Sequence, residues 1–194
     1  MSKAQILLFN TKKQLRTEIE EIELEIKKTS KMIMSTDLVN MKRVMRRLDF
    51  VDKNDVPHLK GKVAAGLSAA DEVLVTELIF NNFFSDLDAH QIAAVMSCLV
   101  YTDGKSEGKP PKDDSLAIPF QKLLETANKV VTVMIESNID IKKEDYLQKF
   151  VPDMMEITQK WCQGAKFSEV CDISEGIFEG TIIRALRRLD ELIS

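Results

Sequence analysis

Near the end of the chain Arg184, Arg187, Arg188 and Glu191 recur at helical spacing, which puts three guanidiniums and a carboxylate on one helix face. Guanidinium forks at successive turns can hold phosphates, and a neighbouring carboxylate can accept from a ribose hydroxyl or orient an arginine. Ile182, Leu186, Leu189 and Ile193 recur on the complementary side, which predicts that this side is buried. The competing reading is a solvated face stitched by ion pairs, Arg187 to Glu191 for example. On spacing alone that is the commoner outcome.

Other chemistry is scarce. His58 and His90 are the only histidines, and neither has the spaced Cys or His neighbours that a zinc site needs, so no metal site is expected. Cys98, Cys162 and Cys171 are an odd set without a C-x-x-C pair and read as reduced, mostly buried thiols of an intracellular protein. The carboxylates sit at helical spacing from Lys or Arg, which favours solvated faces over acid/base work, so no catalytic residue is assigned. Gly61 to Ser68 has the glycine spacing of a phosphate-binding loop, but Leu67 stands where the lysine must be and Pro57 precedes it in place of a buried strand. No nucleotide or other cofactor is expected in this chain.

The elements that must position the arginines are helical. Seven Gly and five Pro among 194 residues are few, and Leu, Ile, Glu, Lys and Met are plentiful, which favours helix over sheet. A net charge of −4 excludes polyanion binding by bulk charge and requires any nucleic-acid site to be a local patch. No apolar run reaches membrane-spanning length, and Met1 to Asn10 lacks the apolar region of a signal peptide, so no membrane partner is expected.

Lys12 to Lys31 carries Leu15, Ile19, Ile22 and Ile26 as a narrow apolar stripe, suited either to one partner helix or to leaning on the same chain. Ser35-Thr36-Asp37 reads as the N-cap cluster of a second helix, rich in Lys42, Arg43, Arg46 and Arg47 and ending by Asp52 to Asn54. His58 to Ala64 then predicts two short strands turning at Gly61, which together resemble a winged-helix fragment; a plain helix and loop fits equally well. Ser68 to Asp71 should cap a helix through Asn81, with Val73, Leu74, Leu78 and Ile79 buried and Glu72 and Glu77 exposed. Asp88 caps a central apolar helix, and Thr102 to Ser115 reads as a flexible surface loop. A helix over Leu116 to Asn138 has Pro119 in its first turn, and Pro152 restarts the helix within Asp145 to Gln163. Gly164 stops that helix, a short one covers Phe167 to Cys171, and the arginine helix follows.

Several of these segments resemble, in order, the C-terminal (DSHCT) region of Ski-type DExH-box RNA helicases. Val73 to Asn81 resembles the family's LLLTELIFNG, Met41 to Phe50 its RKRVLRRLGF, and Leu59 to Ala64 its LKGRVA. Trp161-Cys162-Gln163-Gly164-Ala165 and Phe178 to Arg184 are similar to its WCxGA and FEGSIIR. The match covers residues 12 to 194 and is nearer the nuclear, exosome-associated (TRAMP-type) branch than the cytoplasmic superkiller branch.

The resemblance implies a mainly α protein: a helical bundle preceded by a winged-helix fragment and an arch-stalk helix. Residues 1–36 correspond to the returning stalk helix of the arch insertion, 37–67 to the winged-helix fragment with its hairpin, and 68–194 to the bundle. It implies that the arginine helix is the family's ratchet helix, with Arg188 and Glu191 at RNA-contacting positions and Arg184 and Arg187 beside them. Implied partners are RNA, the RecA-like motor domains of the same parent chain, the exosome and poly(A)-polymerase-type adaptors. The implied location is the nucleus, with the cytoplasm as the alternative. ATP and Mg belong to the motor domains, which are not in these residues.

Three departures from the family pattern stand out. Lys62 to Ser68 lacks the Cys and Glu of RVACEIS, and Cys171 to Ile177 is one residue longer than the corresponding CKMTDV. The family also continues through further helices past the position of Ser194, which implies an incompletely closed bundle. A different class of reading competes with the helicase: Lys166 to Ile193 as a helix-turn-helix in an independent nucleic-acid-binding or adaptor protein.

Overall fold

A computed structural model describes residues 3–101, 110–174 and 176–194. The chain divides into two units, residues 1–42 and 43–194. The first is helical throughout its described part and belongs to α1 (Lys3–Arg47). Leu15, Ile19, Ile22 and Ile26 are each more than half exposed along it.

Ser35-Thr36-Asp37 lies inside this helix and caps nothing. The reason is energetic. Interior Ser, Thr and Asp each cost only about 0.5 kcal/mol, whereas a break would orphan backbone groups at two new helix ends. No Gly or Pro occurs before Pro57 to force one. Threonines along α1 turn their hydroxyls back on the helix, as Thr17 Oγ1 does to the Lys13 carbonyl at 3.2 Å.

The second unit takes in the last residues of α1, which ends at Arg47. Asp49 adopts a left-handed φ of 61°, Phe50 N donates to the Met45 carbonyl at 2.8 Å, and Asp49 N to that of Arg46 at 3.2 Å. This Schellman pattern drops Phe50, 1% exposed, into the core. The following turn is held by Asp52 Oδ1, which accepts from Asn54 N at 2.7 Å and Val56 N at 2.9 Å.

The expected hairpin and winged-helix fragment do not form. No β-strand occurs among the described residues; a single antiparallel bridge joins Val51 to Pro57. His58 to Ala64 instead makes a short helix, α2 (Leu59–Ala64). Gly61 is there for closeness and makes no turn: a Cβ on it would lie 2.3 Å from the Phe50 carbonyl oxygen. The mainly α expectation holds, and its β-containing component is replaced by this helix.

Beyond α2 come α3 (Glu72–Phe80), α4 (Ala89–Val100), α5 (Asp114–Glu136), α6 (Lys143–Leu147), α7 (Met155–Cys162), α8 (Phe167–Ile173) and α9 (Glu179–Ile193). Asp71 caps α3 by accepting from Leu74 N at 2.9 Å, and its other oxygen accepts from the Tyr146 hydroxyl at 2.8 Å. Val73, Leu74 and Leu78 are buried as expected, but Ile79 is exposed. Glu77 is largely covered, because the half-buried Lys60 ammonium pairs with it while donating to the Leu48 carbonyl at 2.7 Å. Residues 102–109 of the expected surface loop lie outside the described residues. The loop's end is tied down, with Lys112 N and Asp113 N both donating to Glu156 Oε1 of α7.

α4 is the centre of the bundle, packing against α5, α7 and α9. Its N-terminus carries a full capping box: Asp88 Oδ1 accepts from Gln91 N at 2.9 Å, and Gln91 Oε1 accepts from Asp88 N at 3.0 Å. The Gln91 amide then donates to the Ser115 carbonyl at 3.1 Å. That carbonyl is the one left without a helical donor by Pro119, which sits in the second turn of α5, later than expected. One side chain therefore repairs two helix defects. Gln91→Ala should lower stability by about 1–2 kcal/mol, read as a urea midpoint shift at unchanged slope.

Candidate nucleic-acid interface

The rotation of α9 is fixed by what it buries. Ile182, Ala185 and Leu189 are 0%, 3% and 5% exposed. Ile182 and Ala185 join a cluster with Tyr101, Val151, Met154, Ile157 and Val170, and Leu189 joins Ala93 and Val100 of α4. Leu186 and Leu192 pack at the edges of these clusters, half-buried, and Ile193 is exposed at 56%. The buried stripe thus runs 182, 185, 189, 192, not through Ile193 as expected. Ala185 is small enough to bring α9 close to its neighbours.

On the other side Arg184, Arg187, Arg188 and Glu191 are all exposed. Spacing brought them to one face, and the structure keeps them there. Among the described residues Arg187 and Glu191 form no ion pair with each other, so the stitched face of the competing reading is absent at that pair. Arg46 and Arg47 engage Asp55 and Glu136. The α9 side chains are likewise exposed, with Arg184 and Arg188 also engaged by protein partners.

Two of the guanidiniums are oriented from below. Arg184 Nη2 donates to Thr181 Oγ1 at 2.8 Å, turning the head back toward the start of the helix. Arg188 Nη1 reaches the Val100 carbonyl at 3.5 Å, a long contact with the last residue of α4. That carbonyl sits at the negative end of the α4 dipole, which favours a cation there. The pairing spans 88 positions and has no signal in the sequence.

The three cysteines lie apart from the arginine face in character, as neutral thiols. Burial pushes the Cys98 thiol far above its ordinary range, reinforced by the charge of Asp153. Cys162 and Cys171 are also raised, chiefly by desolvation, so all three are neutral thiols near pH 7. Among the described residues no group of three His, Cys, Asp or Glu is placed to hold a metal. Among them, too, no helix is long and apolar enough to cross a membrane.

The family model of the DSHCT (NUC185) domain matches residues 54–194. "Exosome RNA helicase MTR4" of Homo sapiens is 39% identical over 186 residues, covering 96% of this chain and 18% of that protein. "ATP-dependent RNA helicase mtr4" of Schizosaccharomyces pombe is 37% identical over 179 residues, covering 92% and 16%. "DExH-box ATP-dependent RNA helicase DExH10" of Arabidopsis thaliana is 35% identical over 191 residues, covering 98% and 19%. The chain spans less than a fifth of the length of these relatives.

The two faces of α9 should respond differently to truncation. Ile182→Ala or Leu189→Ala should cost roughly 2–5 kcal/mol through the cavity left behind. Leu186→Ala, at the cluster edge, should cost less. Arg187→Ala and Glu191→Ala should stay within about 0.5 kcal/mol of the parent chain. Chemical denaturation of these variants checks the ordering.

Proposed function

The chain belongs to the DSHCT family as it occurs in MTR4-like RNA helicases, and from this premise we propose that it forms the RNA-contacting helical region of an ATP-dependent DExH-box helicase. One observation carries the proposal: α9 presents Arg184, Arg187, Arg188 and Glu191 together on its exposed face, in a domain shared with proteins named as RNA helicases. In this reading Arg187 and Arg188 hold phosphates of a passing strand, Arg184 holds a third, and Glu191 accepts from a ribose hydroxyl.

The division of labour follows from the chemistry present. ATP hydrolysis with Mg belongs to RecA-like motor domains elsewhere in the parent chain, and this region couples to it by gripping RNA. Association with the exosome is proposed from the name borne by two relatives, and poly(A)-polymerase-type adaptors and a nuclear location from the resemblance to the TRAMP-type branch alone. Residues 1–36 are proposed as the arch-stalk helix, in keeping with an uninterrupted helix whose apolar stripe is exposed. The helix-turn-helix reading of Lys166 to Ile193 loses its ground, since those residues fall within the matched DSHCT segment.

Arg188→Ala tests this directly. Affinity for single-stranded RNA should fall by an amount on the order of a charged hydrogen bond, about 1–3 kcal/mol, measured by fluorescence anisotropy at low salt. Thermal stability should hardly move, because the hydrogen bond from Arg188 to the Val100 carbonyl is long and partly solvated. Glu191→Ala should have a smaller effect on affinity. An Arg188→Ala chain that melts early yet binds RNA normally when folded would make the arginines structural.

A further inference from the structure

Phe178 stands at the head of the arginine face. It is the residue before α9 and is 75% exposed, more than any other large apolar side chain described. A lone exposed phenyl group is ordinary. Its placement is not. A Cβ on Gly180 would lie 2.9 Å from Phe178 Cε1, 3.2 Å from Cδ1 and 3.8 Å from Arg184 Nη1. Ring and guanidinium therefore border one point on the helix surface, and that point is open only because residue 180 has no side chain.

Gly180, Arg184, Arg187 or Arg188, and Glu191 follow one another at intervals of three and four, so they form one stripe along α9. The stripe begins with an aromatic ring laid over the glycine and continues through three guanidiniums. The bond from Arg184 to Thr181 Oγ1 keeps the first guanidinium on the ring's side. An aromatic platform next to cations is the arrangement by which single-stranded nucleic acid is held without sequence preference: bases stack on the ring and phosphates meet the charges.

We propose that Phe178 is a base-stacking residue for single-stranded RNA, that Arg184 holds the phosphate beside the stacked base, and that Gly180 is the gap that seats the ring. This rests on the RNA-contacting role of α9 proposed above and adds a residue to it. The adjoining guanidiniums select a polyanion over an apolar protein segment as the occupant, since an apolar surface laid over them would strip water from positive charge and offer no counter-charge of its own.

The test compares two labelled probes on the full chain: a short single-stranded oligoadenylate and the same sugar-phosphate strand lacking its bases. Phe178→Ala should weaken oligoadenylate binding by about 5- to 100-fold and leave the abasic strand unaffected. Phe178→Trp should retain oligoadenylate affinity. Gly180→Ala should also weaken oligoadenylate binding by pushing the ring aside, while the melting temperature holds or rises because alanine favours helix. Equal losses on both probes, or no loss on either, overturn the stacking role. If Arg188→Ala still weakens both probes in that case, the arginine face stands without Phe178. Failure of the unmodified chain to bind either probe overturns both. Gly180→Ala keeps the test decisive should Phe178→Ala fold poorly.

Discussion

A helix in a bundle of this size can bury one side only, and the burial of Ile182, Ala185 and Leu189 decides which side of α9 that is. The exposed charged face depends on this choice. Once those three side chains are fixed, helical geometry sends Arg184, Arg187, Arg188 and Glu191 outward, with no further interaction needed to display them. The apolar face supplies stability and the charged face is left exposed.

That constraint is only as firm as the elements α9 leans on. α4 provides Ala93 and Val100 from its body and a terminal carbonyl for Arg188. Its own start is secured by the reciprocal bonds between Asp88 and Gln91, and Gln91 also joins it to α5 at the carbonyl freed by Pro119. Farther off, Lys60 ties the end of α1 to α3, and Tyr146 ties α6 to the cap of α3. Polar side chains in this unit hold helix ends, while the spaces between helices are filled by Leu, Val, Met and Phe. The arginines of α9 lie on the solvent side of that framework, where a ligand can reach them.

How much of this was legible beforehand follows from the range over which each feature is determined. Periodicity over four turns gave the orientation of α9, and local chemistry gave the caps Asp71 and Asp88 and the helix restart at Pro152. Features set by distant partners were not legible. Gly61 looked like a turn because glycine often makes one, yet its role is to let α2 approach the Phe50 carbonyl. Ser35-Thr36-Asp37 has the composition of a cap, and the same residues are tolerated in a helix interior when nothing breaks the chain. The far end of the buried stripe drifted from Ile193 to Leu192, because a small residue, Ala185, carries the contact in its middle. Spacing located the arginine face, and the resemblance to DSHCT proteins implied its role; the resemblance also suggested a winged-helix hairpin that the described residues do not contain.

The central claim is that the exposed face of α9 meets the RNA backbone, and the salt dependence of RNA affinity measures that directly. For single strands the slope of log affinity against log salt is about −0.7 for each phosphate neutralised. Replacing Arg184, Arg187 and Arg188 together by Ala should make the slope shallower by about 2, while the folded bundle persists by circular dichroism. Parallel salt dependences for the unmodified and triply substituted chains would contradict the account and place the RNA contacts elsewhere.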